Sequence, residues 1–291
     1  MVKRIVALIL ILCLGLGTAL ALSQPMDDAA WQRIRQNLEN GVPHPVPEEY
    51  RIAVKSGDWH AAWKEKDTLS ILVMGTDSET LSQRDGEADV IMVASVNLKN
   101  GAIRLLSLPE THFVQVESLP DSVWLKHVHC FGGPELMVQT VNDLMGLPLT
   151  KYCAVNLNSF VSTLDQLGGV KMNLSAYDAE ALGLSAGENV LTGSQALDYM
   201  KLQGEGTRQT RARTPLTALG RQVSETLSLR TMATLLNFVI TAIDTNLTYD
   251  NLMDIMFAVM DGPAGLSISA DGVDFESGDW RDYSAACLYG E

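Results

Sequence analysis

Residues 75–89 hold five carboxylates, Asp77, Glu79, Asp85, Glu87 and Asp89, in a stretch that leaves one apolar run and enters the next. Asp77 and Asp89 therefore stand near strand ends, where α/β proteins expose functional groups. Carboxylates share a small volume only when a cation offsets their repulsion. Hard oxygen ligands of this kind suit magnesium. Spacing alone leaves the alternative open, an acidic loop facing water.

A basic group follows at Lys201, Arg208, Arg211 and Arg213, with Arg221 beyond it. Arg208 and Arg211 are three apart, share a face if helical, and in that arrangement suit a phosphate. Gly204 and Gly206 let the chain turn sharply before them. Salt bridges to neighbouring acids are the other reading of these residues. His127 and His129 would face the same way on a strand, but no third ligand stands close enough for zinc. Nothing adjacent orients His112 as an acid or base. The chain has no G-x-S-x-G, P-loop or dinucleotide fingerprint, so hydrolase, nucleotide and nicotinamide chemistries lack their usual warrants.

The elements that must position these residues read as follows. Apolar, β-branched runs predict strands over 69–74, 89–96 and 103–108, with a turn at Lys99-Asn100-Gly101 and a stop at Pro109. Gly132-Gly133-Pro134 predicts the entry to a helix over 135–145, closed by Gly146. Strands are expected over 152–157 and 170–174. Between them runs a helix capped by Asn158 or Ser159 and ending at Gly168-Gly169. Further helices are expected over 194–202, 215–243 and 247–260, with an edge strand over 266–270. Strand and helix in close alternation predict the α/β class, a sheet covered by helices.

The 291 residues carry a net charge of -14, which repels nucleic acid backbones and leaves no nucleic acid partner expected. Lys3 and Arg4 precede an apolar run over 5–22 that is about 27 Å long if helical, enough for a thin bilayer. The basic start places the remainder outside the membrane. Ala19-Leu20-Ala21 also fits a signal-peptidase site, so 1–26 is an anchor or a signal peptide, and the chain is secreted if cut after Ala21. Residues 27–66, with Pro43, Pro45 and Pro47, read as a juxtamembrane connector opening on a short helix, and 67–291 as one domain. Cys130 and Cys153 read as small core residues rather than part of a disulfide framework.

Several ordered motifs resemble the LytR-CpsA-Psr family of bacterial cell-envelope proteins. They are Ile71-Leu72-Val73-Met74-Gly75-Thr76-Asp77-Ser78, Ala88-Asp89-Val90-Ile91, Leu106-Ser107-Leu108-Pro109, Phe131-Gly132-Gly133-Pro134, Tyr152-Cys153-Ala154-Val155-Asn156-Leu157-Asn158-Ser159-Phe160 and Leu191-Thr192-Gly193-Ser194-Gln195-Ala196-Leu197. The resemblance implies one α/β/α sandwich with a mixed central sheet, outside the membrane behind a single N-terminal transmembrane helix. It implies transfer of a glycopolymer from a polyprenyl pyrophosphate carrier to peptidoglycan, with magnesium assisting and the lipid tail in an apolar pocket. Asp77 and Asp89 fall on the family's metal-holding aspartates, which makes them both the expected catalytic pair and the expected metal ligands.

The family's basic residues are altered. Glu87 stands where an arginine is expected, Pro109-Glu110-Thr111-His112 replaces Pro-Arg-Asp-Thr, and Lys201-Leu202-Gln203 replaces Arg-x-Arg. Arg84 is the candidate to replace a lost catalytic cation. Lys201, Arg208, Arg211 and Arg213 are the expected ligands of the pyrophosphate. An acid in place of arginine removes a phosphate donor and adds repulsion. Two functions stay open: active transfer, or a catalytically impaired member that binds lipid, wall polymer or a protein partner.

Overall fold

Successive side chains of a strand face opposite sides of a sheet, and the register of the central strands turns that alternation into two apolar layers. The strands are β1 (Thr68–Thr76), β2 (Ala88–Asn97), β3 (Ala102–Leu108), β4 (Phe113–Val114), β5 (Val123–Trp124), β6 (Lys151–Asn156), β7 (Val170–Leu174), β8 (Gly187–Leu191), β9 (Ile243–Thr245) and β10 (Ser267–Gly272). The helices are α1 (Asp28–Glu39), α2 (Leu125–Met145), α3 (Leu157–Gln166), α4 (Ala176–Ala181), α5 (Gly193–Lys201), α6 (Arg208–Glu225), α7 (Leu229–Ala242) and α8 (Tyr249–Asp261). This computed structural model describes residues 27–42, 45–52, 67–78, 84–117, 119–202, 208–225, 229–261, 267–272 and 288.

Six strands form the central sheet in the order β10-β3-β2-β1-β6-β9. β1 runs parallel to β6 and β10 parallel to β3, while the other neighbours are antiparallel. The sheet is therefore mixed, as expected. Leu106, Val93, Leu72 and Tyr152 form one cross-strand row, and Leu108, Ile91, Met74 and Ala154 the next. Both rows are buried beneath Trp31, Ile34 and Leu38 of α1 and Leu125, Val128, Phe131, Met137 and Val141 of α2. Val90 and Met92 face the opposite side, packed with α3, α5 and half-buried residues of α6 and α7 such as Leu216, Leu219 and Phe238. Helices on both faces complete the α/β/α layering.

Several boundaries differ from expectation for physical reasons. The segment expected as a connector opens on α1, capped by Asp27, whose Oδ1 accepts from Ala30 N at 2.7 Å. The apolar side of α1 is buried in the main core, so residues 28–39 belong to the domain. α2 starts at Leu125, ten residues before the expected entry. The two glycines make a kink inside it, Gly133 with φ 64°, and Pro134 opens its second half. Asn156 caps α3, rather than Asn158 or Ser159, with its Oδ1 accepting from Ser159 N at 2.8 Å. The helix expected over 215–243 is two helices, α6 reaching back to Arg208 with Pro215 inside it, and α7. The hairpin of β7 and β8 forms a sheet of its own, as does that of β4 and β5. The expected anchor or signal helix over 1–26 lies outside the described residues. Among those described, no helix is long and apolar enough to cross a membrane.

Candidate functional site

Because β1 and β6 are parallel and Thr76 is registered with Asn156, their C-terminal ends lie side by side. The chain leaves β1 as Asp77-Ser78 and re-enters β2 through Arg84-Asp85-Gly86-Glu87. Backbone and side chain staple this acid loop together. Asp77 N donates to Glu87 O at 3.2 Å, and Glu87 N donates to Asp77 Oδ1 at 2.6 Å. Gly86 N donates to Ser78 Oγ at 3.0 Å, and Asn156 Nδ2 donates to Ser78 O. His129, buried in α2, meets Gly86 O at 2.8 Å through Nδ1. A carbonyl only accepts, so that nitrogen carries the proton. Burial holds His129 down at about 4, neutral at ordinary pH. Gly86 has no room for a side chain, since a Cβ there would lie 2.3 Å from Ser78 N and 2.6 Å from Asp77 Oδ1.

A β-bulge aims Asp89. Gly75 pairs with Val90 and Thr76 with Ala88, so Asp89 is the extra residue on β2, released from the ladder at the strand end. Its Oδ2 meets Lys201 Nζ, at the last turn of α5, at 2.5 Å. Asp77 is exposed at the rim. Partial withdrawal from water, then the charges of Asp89 and Glu87, push its pKa up, only partly offset by the bond from Glu87 N. Asp89 thus lies close enough for its charge to act on Asp77. Among the described residues no group of three or more His, Cys, Asp or Glu makes a complete metal cage. Two carboxylates at an open rim still fit magnesium, which keeps water and takes substrate phosphate oxygens for its other ligands.

Glu87, the acid in an arginine's place, is not left as a bare repulsive charge. Lys126 Nζ lies 2.5 Å from its Oε2, and His127 Nε2 lies 3.3 Å from its Oε1 with poor hydrogen-bond alignment. Burial alone would raise Glu87, but His127 and Lys126 outweigh it and hold the carboxyl at about 2. Lys126 escaped the sequence reading because it stands 39 residues from Glu87 and carries no motif. His127 and His129 lie on a helix and not on a strand. One reaches Glu87 and the other Gly86.

The expected arginines are placed differently. Arg84 points into a cage of distant residues: Nη1 donates to Glu135 Oε1 at 2.9 Å and Nη2 to Tyr152 Oη at 3.0 Å. Its Nε lies 2.8 Å from Asp244 Oδ2, and Nη2 donates to Asp244 Oδ1 at 3.0 Å. Arg211 is buried, donating from Nε and Nη2 to Asp178 Oδ1 at 3.1 and 2.9 Å. That pair ties α6 to α4. Arg208 and Arg213 lie on α6, and their side chains fall outside the described residues. Glu110 is buried and Thr111 exposed, with Glu110 O accepting from Lys126 N at 2.9 Å. The structure thus brings Asp77, Asp89, Glu87, Lys126 and Lys201 to one strand edge, and engages Arg84 and Arg211 elsewhere.

The family described as LytR_cpsA_psr matches residues 34–270. The polyisoprenyl-teichoic acid–peptidoglycan teichoic acid transferase TagU of Bacillus subtilis is 28% identical over 210 residues, covering 69% of this chain and 67% of that protein. The structure of gbs0355 from Streptococcus agalactiae superposes with a TM-score of 0.58 at 20% identity, covering 72% of this chain and 78% of that one. YwtF (TagT), solved with octaprenyl pyrophosphate bound, gives a TM-score of 0.56 at 18% identity over 77% of this chain and 85% of that one. With the match running from within α1 through the acid loop and into β10, the chain belongs to the LytR-CpsA-Psr family.

Proposed function

We propose that this protein transfers an anionic glycopolymer from a polyprenyl pyrophosphate carrier to peptidoglycan, at the strand edge that holds Asp77 and Asp89. The juxtaposition of those two aspartates on a bulged strand end, beside Lys201, carries the reading. Asp77 and Asp89 would hold magnesium, which supplies neutralisation of the pyrophosphate charge. Lys201, whose Nζ lies against Asp89, would take a phosphate oxygen. An acceptor hydroxyl forms the new bond to the sugar-linked phosphorus and gives up its proton to water, while the bridging P–O bond breaks and polyprenyl phosphate leaves with its electron pair. The N-terminal apolar segment would hold the site at the outer membrane surface, where such a carrier presents its head group.

A second reading draws on the arginines. Arg84 and Arg211 are engaged with carboxylates, and Lys126 and Lys201 are ion-paired within the site, so a binding protein without transfer activity fits the same observations. One experiment separates the two. The full chain is given octaprenyl pyrophosphate-linked polymer, peptidoglycan acceptor and magnesium, and the phosphodiester product is followed by mass spectrometry. Product that disappears with Asp89→Ala supports transfer; carrier binding with no product supports the second reading; neither binding nor product defeats both.

A further inference from the structure

One peptide unit of the acid loop is held at both ends. Its carbonyl, Gly86 O, accepts from His129 Nδ1 at 2.8 Å, and its N–H, on Glu87, donates to Asp77 Oδ1 at 2.6 Å. The unit is planar and trans, so the two groups point in opposite directions and cannot turn independently. Glycine at position 86 would otherwise leave that plane easy to rotate, because it lacks the Cβ that restricts φ and ψ. Half a turn would aim Gly86 O at the Asp77 carboxylate, where like partial charges repel.

His129 is placed to resist that rotation. It lies in α2 between Val128 and Cys130, both fully buried, and is itself 2% exposed. Interior side chains are close-packed, so its ring has little freedom to follow a moving loop. Its other nitrogen, Nε2, is buried and has no hydrogen-bond partner among the described residues. A buried polar atom left unpaired costs stability, so the imidazole is a poor core side chain apart from its bond to Gly86 O. The nearby carbonyl Arg84 O is held in the same way, by Arg51 Nη2. Asp77 stands exposed at the rim, which makes the histidine the fixed end and the carboxylate the end that is aimed.

We propose that His129 is a positioning residue of the metal site, acting through the Gly86–Glu87 peptide to pin Asp77 Oδ1 and turn Oδ2 toward a divalent cation. This rests on the reading in which Asp77 and Asp89 hold magnesium. His129 touches neither metal nor carrier. A carboxylate already pinned by one oxygen loses less freedom when the other takes a metal. Donation from His129 to the carbonyl also polarises the peptide and strengthens the donation of its N–H to Asp77. The histidine therefore sets metal affinity and leaves the transfer step alone.

The test follows capture of octaprenyl pyrophosphate by the full chain as magnesium is added, and reads the magnesium concentration at half-maximal capture. His129→Phe keeps a ring and removes the donor. It should raise that midpoint about tenfold, the scale of one hydrogen bond to a charged system, with capture at saturating magnesium unchanged. His129→Asn, whose amide Nδ2 takes the place of the imidazole Nδ1, should return the midpoint to within about twofold of the wild type. A merely structural histidine would lower the captured fraction in both variants and leave the midpoint where it was. An unmoved midpoint in His129→Phe, or equal shifts in the two variants, overturns the role. Circular dichroism verifies folding, and His129→Leu carries the same test if His129→Phe does not fold. Exchange of the Glu87 amide proton in the metal-free chain, followed by nuclear magnetic resonance, should quicken in His129→Phe and recover in His129→Asn; equal rates overturn the role as well. Wild-type capture that ignores magnesium would defeat the metal reading and the histidine's role with it, whereas magnesium-dependent capture with unmoved variants defeats the role alone.

Discussion

The acid loop has two ends that treat charge in opposite ways. At the Arg84 end a single guanidinium meets Glu135, Asp244 and the Tyr152 hydroxyl, and four elements distant in sequence are tied together. At the Asp77 end, three carboxylates face Lys126, His127 and Lys201, and Asp77 stays exposed with its pKa pushed up. The first end is closed, because its donors are matched by acceptors within the fold. The second is incomplete in charge, and a residual electrostatic need of that kind is what a ligand can satisfy. A cation near an acidic loop is thus no sign of a phosphate site until its partners are known.

The contrast can be broken from the closed end first. Arg84→Ala leaves Glu135 and Asp244 facing each other without their cation. With allowance for partial solvent exposure, the loss should be about 3 kcal/mol in denaturant unfolding. A loss below about 1 kcal/mol would show that Arg84 is not the closing strut of the loop. Gly86→Ala should follow at about 2 kcal/mol, since its methyl group meets the backbone N of Ser78, which cannot yield as the Asp77 carboxylate can. The same variant should weaken magnesium binding, because Asp77 is displaced. A smaller effect concerns His129, whose folded pKa of about 4 lies below its ordinary 6.5. The unfolded chain then binds the proton that the folded chain refuses, so stability falls as pH drops through this window. The expected loss is about 1 kcal/mol over the first pH unit below 6.5, absent in His129→Gln when unfolding is compared across pH.

Much of this fold was legible in the sequence where the signal is local. The apolar runs of β1, β2 and β3, with the Lys99-Asn100-Gly101 turn, fixed three neighbouring strands, and they placed Asp77 and Asp89 at adjacent ends. The first half of α2 gave no such signal. Leu125, His127, Val128, His129, Cys130 and Phe131 are all buried, so the segment has no polar stripe to reveal a helical period. The bulge that frees Asp89 is a matter of register, which a single strand does not encode. The Arg84 cage was out of reach for another reason, since its partners lie 51, 68 and 160 residues away. Glu87 shows the same limit: sequence reads it as a repulsive substitution, while the fold surrounds it with Lys126 and His127.

If the Asp77 end recruits a metal to hold a pyrophosphate, metal and carrier must bind there together. Binding of octaprenyl pyrophosphate to the full chain, titrated with and without magnesium for the wild type and Asp77→Asn, tests it directly. Tight binding should occur only with magnesium and should weaken at least about tenfold in Asp77→Asn. Because the Asp77 pKa is raised, binding should also begin to fail at a higher pH than an ordinary aspartate would set as acid is added. Binding of equal strength without magnesium, or untouched by Asp77→Asn, would contradict it.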